Sequence, residues 1–370
     1  MLCEGTCGMS GAELTDCLEF NGAWFNGISH RHHTAAVMYA LNRTFGDVMP
    51  LLLSMATEAN FPEERFLALK EKAVSNASVR ARQVKSRSLE IIRRMIYGPE
   101  HPYSKTDSSA DIASVSVDDL RRYYASGLTD KSAAIYLGGR ITPAMEDAVN
   151  RMFGSFEPTV PIVSVDRRPM SPVADRLETV SVEGAMQGSV RIAIPTIGPS
   201  HPDYCDLSLA VTALGGYFGS RLMSNIREDK GYTYGIQAFL IGSGHDGLMV
   251  ISSEADNVYV EPLIREVLEE IRKMSTVAVE SEELDRMRNF VLSQAVASLD
   301  SPFNIIGYHE SLHYDALPSD TFRQRMEAVR TVSGTRIMEV ALKYLDPDSV
   351  KIAVAGDVDA FSVDENRIFH

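Results

Sequence analysis

The chain has 370 residues, 45% of them hydrophobic and 23% charged, and its formal net charge is −14. This apolar fraction is sufficient for sizeable cores and excludes a largely disordered chain, and at about 150 residues per domain the length predicts two domains. The acidic balance argues against a nucleic-acid-binding protein, because phosphate neutralisation needs clustered lysine and arginine. No apolar run approaches the roughly 18 residues that span a bilayer, so no membrane contact is expected.

The cysteines and the N-terminus bear on location. Three of the four cysteines lie within the first seventeen residues, which is no framework for a disulfide-dense fold and fits a reducing compartment. The N-terminus has neither a basic region nor a long apolar region typical of a signal peptide. We therefore expect a cytoplasmic protein.

The first part of the chain is predicted to be mostly helical. An apolar stretch over 45–57 predicts one helix, and a long helix is predicted from Pro62 to the Gly98-Pro99 pair, with its apolar stripe running to residue 77 and resuming at 89. Residues 117–126 predict another helix. Residues 132–139 predict a buried strand that runs into a glycine turn.

The second part of the chain repeats this pattern. Helices are predicted around 263–274, from Ser281 to about 299, and over 334–345, and they precede a strand that ends at Gly356. Gly139 and Gly356 are 217 residues apart (356 minus 139), and so are Val74 and Val291 in the two long helices (291 minus 74). Two separate segments at one separation favour an internal duplication.

The order of elements indicates the fold class. Residues 177–182 and 189–194 predict two strands before any helix, which favours an α+β layer over a doubly wound parallel sheet. Four prolines in 156–177 predict a semi-rigid linker. The predicted architecture is two homologous halves, 1–157 and 178–370, each a largely antiparallel sheet with helices on one face.

A histidine cluster is the candidate metal site. In an extended segment, the side chains of His30 and His32 would face the same way and have the spacing to share a zinc ion, with His33 beside them. The alternative is a solvated, polar strand end, which Arg31 and the distance to the nearest carboxylates favour. His101 is expected to be structural and to cap backbone groups in a turn.

The segment 220–235 is the second candidate site. It predicts an amphipathic helix that stops at Gly231, followed by a strand that opens with aromatic residues. A guanidinium at Arg227 and a phenol at Tyr234 can converge to bind a peptide carbonyl. The alternative is that Arg227 offsets the helix dipole and pairs with Glu228 or Asp229, with Tyr234 as strand packing.

The sequence resembles the M16 inverted-zincin metallopeptidases, the family of insulinase, pitrilysin and mitochondrial processing peptidase. The similarity covers nearly the whole chain, and its most specific residues are in the second half: Leu214-Gly215-Gly216, Ser220-Arg221-Leu222, Arg227-Glu228-Asp229-Lys230-Gly231 and Tyr234. The resemblance implies the duplicated LuxS/MPP-like metallohydrolase fold, in which two halves enclose a chamber.

The resemblance also indicates what is missing. In catalytic members a His-x-x-Glu-His motif precedes the residues that match Met1, and a third zinc ligand, a glutamate, follows on the long helix. The matching position here is Ala77, and a methyl group cannot bind zinc. We therefore expect a first half that is truncated at its N-terminus, with neither catalytic nor metal-binding residues.

The resemblance implies a function for the remaining pair. Arg227 and Tyr234 match a family pair that holds the substrate backbone opposite the zinc ion. We expect a catalytically silent subunit that binds an extended peptide and completes the chamber of a zinc-bearing homologue or of a second copy, with zinc only in the partner. The alternatives are a non-enzymatic scaffold or peptide-binding protein, and an active zinc peptidase that uses His30, His32 or His33.

Overall fold

The structure is a computed structural model, and it describes residues 1–30, 33–127, 134–154, 168–243, 246–357 and 363–369. The chain forms two compact units, each made of two stretches of sequence. The first unit is 1–78 with 107–167, and the second is 79–106 with 168–370. The predicted halves 1–157 and 178–370 stay a prediction, whereas the contacts assign 79–106 to the second unit.

The first unit is mainly helical. Its elements are α1 Gly11–Phe20, β1 Trp24–Ser29, β2 Thr34–Tyr39, α2 Phe45–Thr57, α3 Glu63–Arg80, α5 Ser109–Ser114, α6 Val117–Gly127 and α7 Pro143–Phe153. A capping box between Ser10 and Glu13 begins α1. Strands β1 and β2 form an antiparallel hairpin in which Trp24 lies opposite Tyr39. Leu14, Leu18 and Met55 pack together as a small core.

The second unit contains the larger sheet. Its elements are α4 Val84–Tyr97, β3 Leu177–Ser181, β4 Gln187–Ile197, α8 Tyr204–Val211, β5 Thr233–Ser243, β6 Asp246–Asp256, α9 Val260–Thr276, α10 Ser281–Ala297, α11 Pro302–Tyr314, α12 Thr321–Thr331, α13 Gly334–Tyr344, β7 Lys351–Gly356 and α14 Glu365–Phe369. The strand order is β3-β7-β4-β6-β5. All neighbouring pairs are antiparallel except β3 with β7. This is the α+β fold that the order of elements predicted.

Both faces of this sheet are covered, because successive side chains of a strand point to opposite sides. Ile192 and Ile194 of β4 join the main core, which also contains residues of α8, α9 and α13. Ala193, between them, contacts the second core, which Ile92 and Ile96 of α4 help to form. Helix α4 therefore packs on the face opposite the other helices, so the prediction of helices on one face is wrong for this sheet. The main core is the frame for the site described below.

The order of elements supports the predicted duplication. In the first unit, the hairpin β1–β2 is followed by α2 and α3, and further on by α6. In the second unit, the hairpin β5–β6 is followed in the same way by α9 and α10, and further on by α13.

Two predictions for the first half are wrong. The long helix is two helices, since residues 81–83 form a turn in which the Arg82 N–H donates to the Val79 carbonyl and the Gln83 N–H to the Arg80 carbonyl. The predicted strand 132–139 is absent over 134–138, where no described strand supplies ladder hydrogen bonds. Residues 132 and 133 lie outside the described residues, as do residues 156–167 of the predicted linker.

Candidate functional site

Arg227 lies on a short helix over 221–229, the site helix, whose apolar side packs in the main core. Leu222, Met223 and Ile226 of this helix are buried. Its last turn is a π-helical turn, in which the Lys230 N–H donates to the Asn225 carbonyl. Gly231 then adopts a positive φ of 65°, which a glycine tolerates without strain, and β5 begins at Thr233. The predicted helix, its end and the following strand are confirmed.

The Arg227 guanidinium lies against two aromatic rings. Its central carbon, Cζ, is 4.7 Å from the ring centroid of Phe218 and 5.4 Å from that of Tyr234, which are cation–π distances. Phe218 is 61% exposed and Tyr234 is 92% exposed. The structure thus brings the two predicted residues together on the surface and adds Phe218, which was not predicted.

The charges around Arg227 test the alternative interpretation, in which this residue pairs with Glu228 or Asp229 and Tyr234 serves as strand packing. Among the residues that the structure describes, no carboxylate lies within ion-pair distance of Arg227, and this includes the neighbouring Glu228 and Asp229. Tyr234 does not contribute to the core, since nearly all of its surface is exposed. The guanidinium N–H groups are therefore available to an acceptor from outside the chain.

Buried and half-buried polar contacts hold the site helix in place. Asn225 Nδ2 donates to Glu266 at 3.2 Å and to Glu270 at 2.8 Å, both on α9, and Lys230 pairs with Glu266. Burial by itself would raise the pKa of Glu266, but the hydrogen bonds from Lys230 and Asn225 outweigh it and lower this pKa. At the start of the helix, Arg221 forms a bidentate ion pair with Glu283 of α10.

The turn before this helix packs closely on its neighbours. A side chain at Gly215 would place its Cβ 2.7 Å from the Cβ of Ala238 on β5, so only glycine permits this approach. The ring of Tyr217 stacks on Phe290 of α10, with 5.1 Å between centroids. Burial raises the pKa of the Tyr217 phenol. Phe218 follows Tyr217 directly in the chain. Its exposed position beside Arg227 is therefore set by the close packing of Gly215 and Tyr217.

The described residues do not fit a zinc centre. Ala77 is buried on α3 and offers no donor atom. The rings of His30 and His33 stack with 4.3 Å between centroids, and His32 lies outside the described residues. Throughout the part of the chain that the structure describes, no three His, Cys, Asp or Glu side chains are grouped as metal ligands. His101 accepts from the Tyr103 N–H as a helix cap, as predicted.

One metal-binding motif was not among the sequence predictions. His309, Glu310 and His313 have the His-Glu-x-x-His spacing that places two imidazoles one turn apart on a helix. They lie on α11, and both histidines are exposed. Because no third ligand joins them within the described residues, the motif alone does not define a zinc centre here.

We expect the purified chain to hold far less than one zinc ion per chain after dialysis against metal-free buffer, since the described residues provide no three-ligand set. Elemental analysis measures this content. About one tightly held zinc per chain would contradict the expectation. In that case His309→Ala with His313→Ala, compared with His30→Ala with His33→Ala, would identify which histidines bind the ion.

Comparison with known proteins shows what the chain is similar to. Residues 114–291 match the model of the peptidase M16 inactive domain. The chain is 21% identical to the uncharacterized zinc protease YmxG of Bacillus subtilis, over 81% of this chain and 73% of that protein. It is 24% identical to cytochrome b-c1 complex subunit 1 of Rattus norvegicus, over 99% of this chain and 78% of that protein.

A solved structure agrees with the sequence matches. The crystal structure of a peptidase M16 inactive domain from Pseudomonas fluorescens superimposes with a TM-score of 0.87, at 21% identity, over 98% of this chain and 88% of that one. Fold and matches together show that the chain is similar to proteins of the M16 peptidase class. The chain is an M16 homologue, and its sequence lacks the His-x-x-Glu-His motif. No helix among the described residues is long and apolar enough to cross a membrane.

Proposed function

We propose that the chain is a catalytically silent M16-type subunit that binds an extended peptide and completes the chamber of a zinc-bearing homologous partner. The observation that carries the proposal is the half-buried Arg227, which contacts the exposed rings of Phe218 and Tyr234 and has no described carboxylate as an ion-pair partner. Polar contacts fix the site helix, yet the guanidinium in its last turn has no ion-pair partner among the described residues. We expect this arrangement when the guanidinium binds a ligand from outside the chain.

The chemistry of the pair favours a peptide backbone as that ligand. The guanidinium and the phenol are hydrogen-bond donors, and an extended peptide presents carbonyl acceptors at regular intervals. The exposed rings of Phe218 and Tyr234 provide apolar surface beside the donors. In the proposed complex, this chain fixes and orients the peptide, whereas the partner supplies the zinc ion and the bond cleavage.

The test has two parts. Purified chain is mixed with a fluorescein-labelled tryptic digest of casein and binding is followed by anisotropy, and the chain is separately used to capture a zinc-bearing M16 homologue from its source, with peptidase activity measured on the complex. Binding, together with activity that needs both chains, is the expected result. A wild-type chain that binds no peptide would overturn the proposal.

Tyr234→Phe is expected to weaken binding of the casein digest about two- to tenfold, because it removes one hydrogen bond and leaves the ring. The unfolding temperature should not change, since Tyr234 is almost fully exposed. Anisotropy titration and thermal unfolding measure the two quantities. Unchanged affinity would show that the phenol does not hold the peptide.

A scaffold without turnover is the second candidate. It is favoured by the similarity to cytochrome b-c1 complex subunit 1, which covers 99% of this chain. A captured partner complex with no peptidase activity, whether or not peptide binds, would support this role and contradict the first.

A further inference from the structure

The backbone that carries Tyr234 contains a β-bulge. Thr233 of β5 lies opposite Ala255 of β6, and Ile236 lies opposite Ser253, so β5 has one more residue than β6 over this stretch. The register shifts between Thr233 and Ile236. A bulge of this kind leaves backbone groups without ladder partners and redirects a side chain. Here the redirected side chain is Tyr234, which leaves the sheet and becomes 92% exposed.

Two buried hydroxyl groups hold this bulge. The Thr233 hydroxyl donates to the Glu254 carbonyl, and it accepts from the Gly235 N–H at 3.1 Å and from the Ser253 hydroxyl at 2.9 Å. The Ser253 Oγ also lies 3.0 Å from the Gly235 carbonyl oxygen. Thr233 is 8% exposed and Ser253 is 2% exposed. The hydroxyl pair thus provides partners for the backbone of Gly235, directly after Tyr234, and for the carbonyl of Glu254 on β6.

These contacts fix where the tyrosine points. Without the Thr233 hydroxyl, the Gly235 N–H would lose the partner that the bulge requires, and the strand would gain by shifting its register or by moving the bulge. Either change would move the Tyr234 ring away from Arg227, whose Cζ lies 5.4 Å from the ring centroid. The position of Tyr234 is therefore determined by the buried hydroxyl groups of Thr233 and Ser253.

We infer that Thr233 and Ser253 are positioning residues of the peptide site, acting through Tyr234. This inference rests on the proposed function, because it assigns the hydroxyl pair to the presentation of Tyr234 for peptide binding. It goes further because it makes the affinity for peptide depend on the β-bulge between Thr233 and Ile236. It also explains why the polar hydroxyls of Thr233 and Ser253 are turned toward the apolar side of the sheet, where Ile236 and Ala238 pack in the core.

The test uses the isosteric variant Thr233→Val, which removes only the hydroxyl, and Thr233→Ser, which keeps it. Thr233→Val is expected to weaken binding of the labelled casein digest about fivefold, and Thr233→Ser to stay close to wild type. Combined with Tyr234→Ala, Thr233→Val should cause no further loss, because residues that act through one another are not additive. Thr321→Val, which removes a buried hydroxyl on α12, is the matched control and should leave binding unchanged.

Hydrogen exchange gives a readout that is independent of peptide. The Gly235 amide should be protected in the wild-type chain and should exchange faster in Thr233→Val. If Thr233→Val does not fold, Ser253→Ala replaces it in the binding measurement, because it removes the hydroxyl that donates to Thr233 and lies 3.0 Å from the Gly235 carbonyl oxygen. Wild-type affinity in Thr233→Val, where Tyr234→Ala still weakens binding, would overturn the inference and leave the proposed function intact. If neither Tyr234→Ala nor Arg227→Ala affects binding, the proposed function fails and the positioning role fails with it.

Discussion

Arg227→Ala is expected to weaken binding of the labelled casein digest roughly 10- to 100-fold, the largest functional effect of any single substitution in this chain. Hydrogen bonds from a charged group contribute about 1.5–3 kcal/mol, and the guanidinium offers several to a peptide carbonyl. Its loss should scarcely affect folding, because the cation–π contacts with the exposed Phe218 and Tyr234 contribute about 1 kcal/mol or less. Anisotropy titration measures the affinity and urea unfolding measures the stability.

Two further variants make the Arg227 result specific. Arg227→Lys keeps the charge but not the planar fork of donors, so its affinity should lie between wild type and Arg227→Ala. Arg323→Ala removes an arginine that is 81% exposed on α12 and pairs with Asp320 of the same chain segment, and it should bind normally. If the complex with a zinc-bearing partner keeps full peptidase activity in Arg227→Ala, the peptide-binding role of Arg227 is wrong.

Arg221→Ala is expected to lower the free energy of unfolding by about 3 kcal/mol, the largest effect on stability among the site residues. The guanidinium donates to Glu283 through Nε at 2.8 Å and Nη2 at 3.0 Å, and the two side chains are only 16% and 17% exposed. Removing one partner leaves the other charge half-buried without compensation, which costs about 3–5 kcal/mol in fully buried pairs. Urea unfolding measures the change.

A double substitution and a neighbouring pair provide the controls for Arg221. Arg221→Ala combined with Glu283→Ala should lose less stability than the sum of the single variants, since no unpaired carboxylate remains. Arg286→Ala breaks the exposed pair with Glu282 on the same helix, α10, and should cost no more than about 0.5 kcal/mol. An Arg221→Ala variant as stable as Arg286→Ala would contradict the assigned role of the bidentate pair.

The sequence was informative where one local rule determined the outcome. The stop at Gly231 and the helix that places Arg227 in its last turn follow from amphipathic spacing and a glycine C-terminus, and both are confirmed. The apolar stripe of the predicted long helix was interrupted between residues 77 and 89, and this interruption was the available signal for the turn at 81–83. The helix-forming residues on both sides of this turn suggested one continuous helix, whereas the structure has two.

Other features depend on contacts that a local pattern does not encode. The bulge at Tyr234 arises from pairing between β5 and β6 and from hydroxyls twenty positions apart, Thr233 and Ser253. The role of Phe218 needed the folded position of Arg227. The His-Glu-x-x-His spacing at 309–313, by contrast, is visible in the sequence alone.

The packing of α4 on the sheet of the second unit has a consequence for biosynthesis. Helix α4 leaves the ribosome well before β4, and almost the whole remaining chain must be made before β7, yet Ala193 and Ala353 of these strands belong to the core that it helps to form. Contacts between residues so distant in sequence close large loops, which slows folding. Until β7 emerges, the apolar side of α4 lacks part of its native cover, and the nascent chain is most prone to association during this interval.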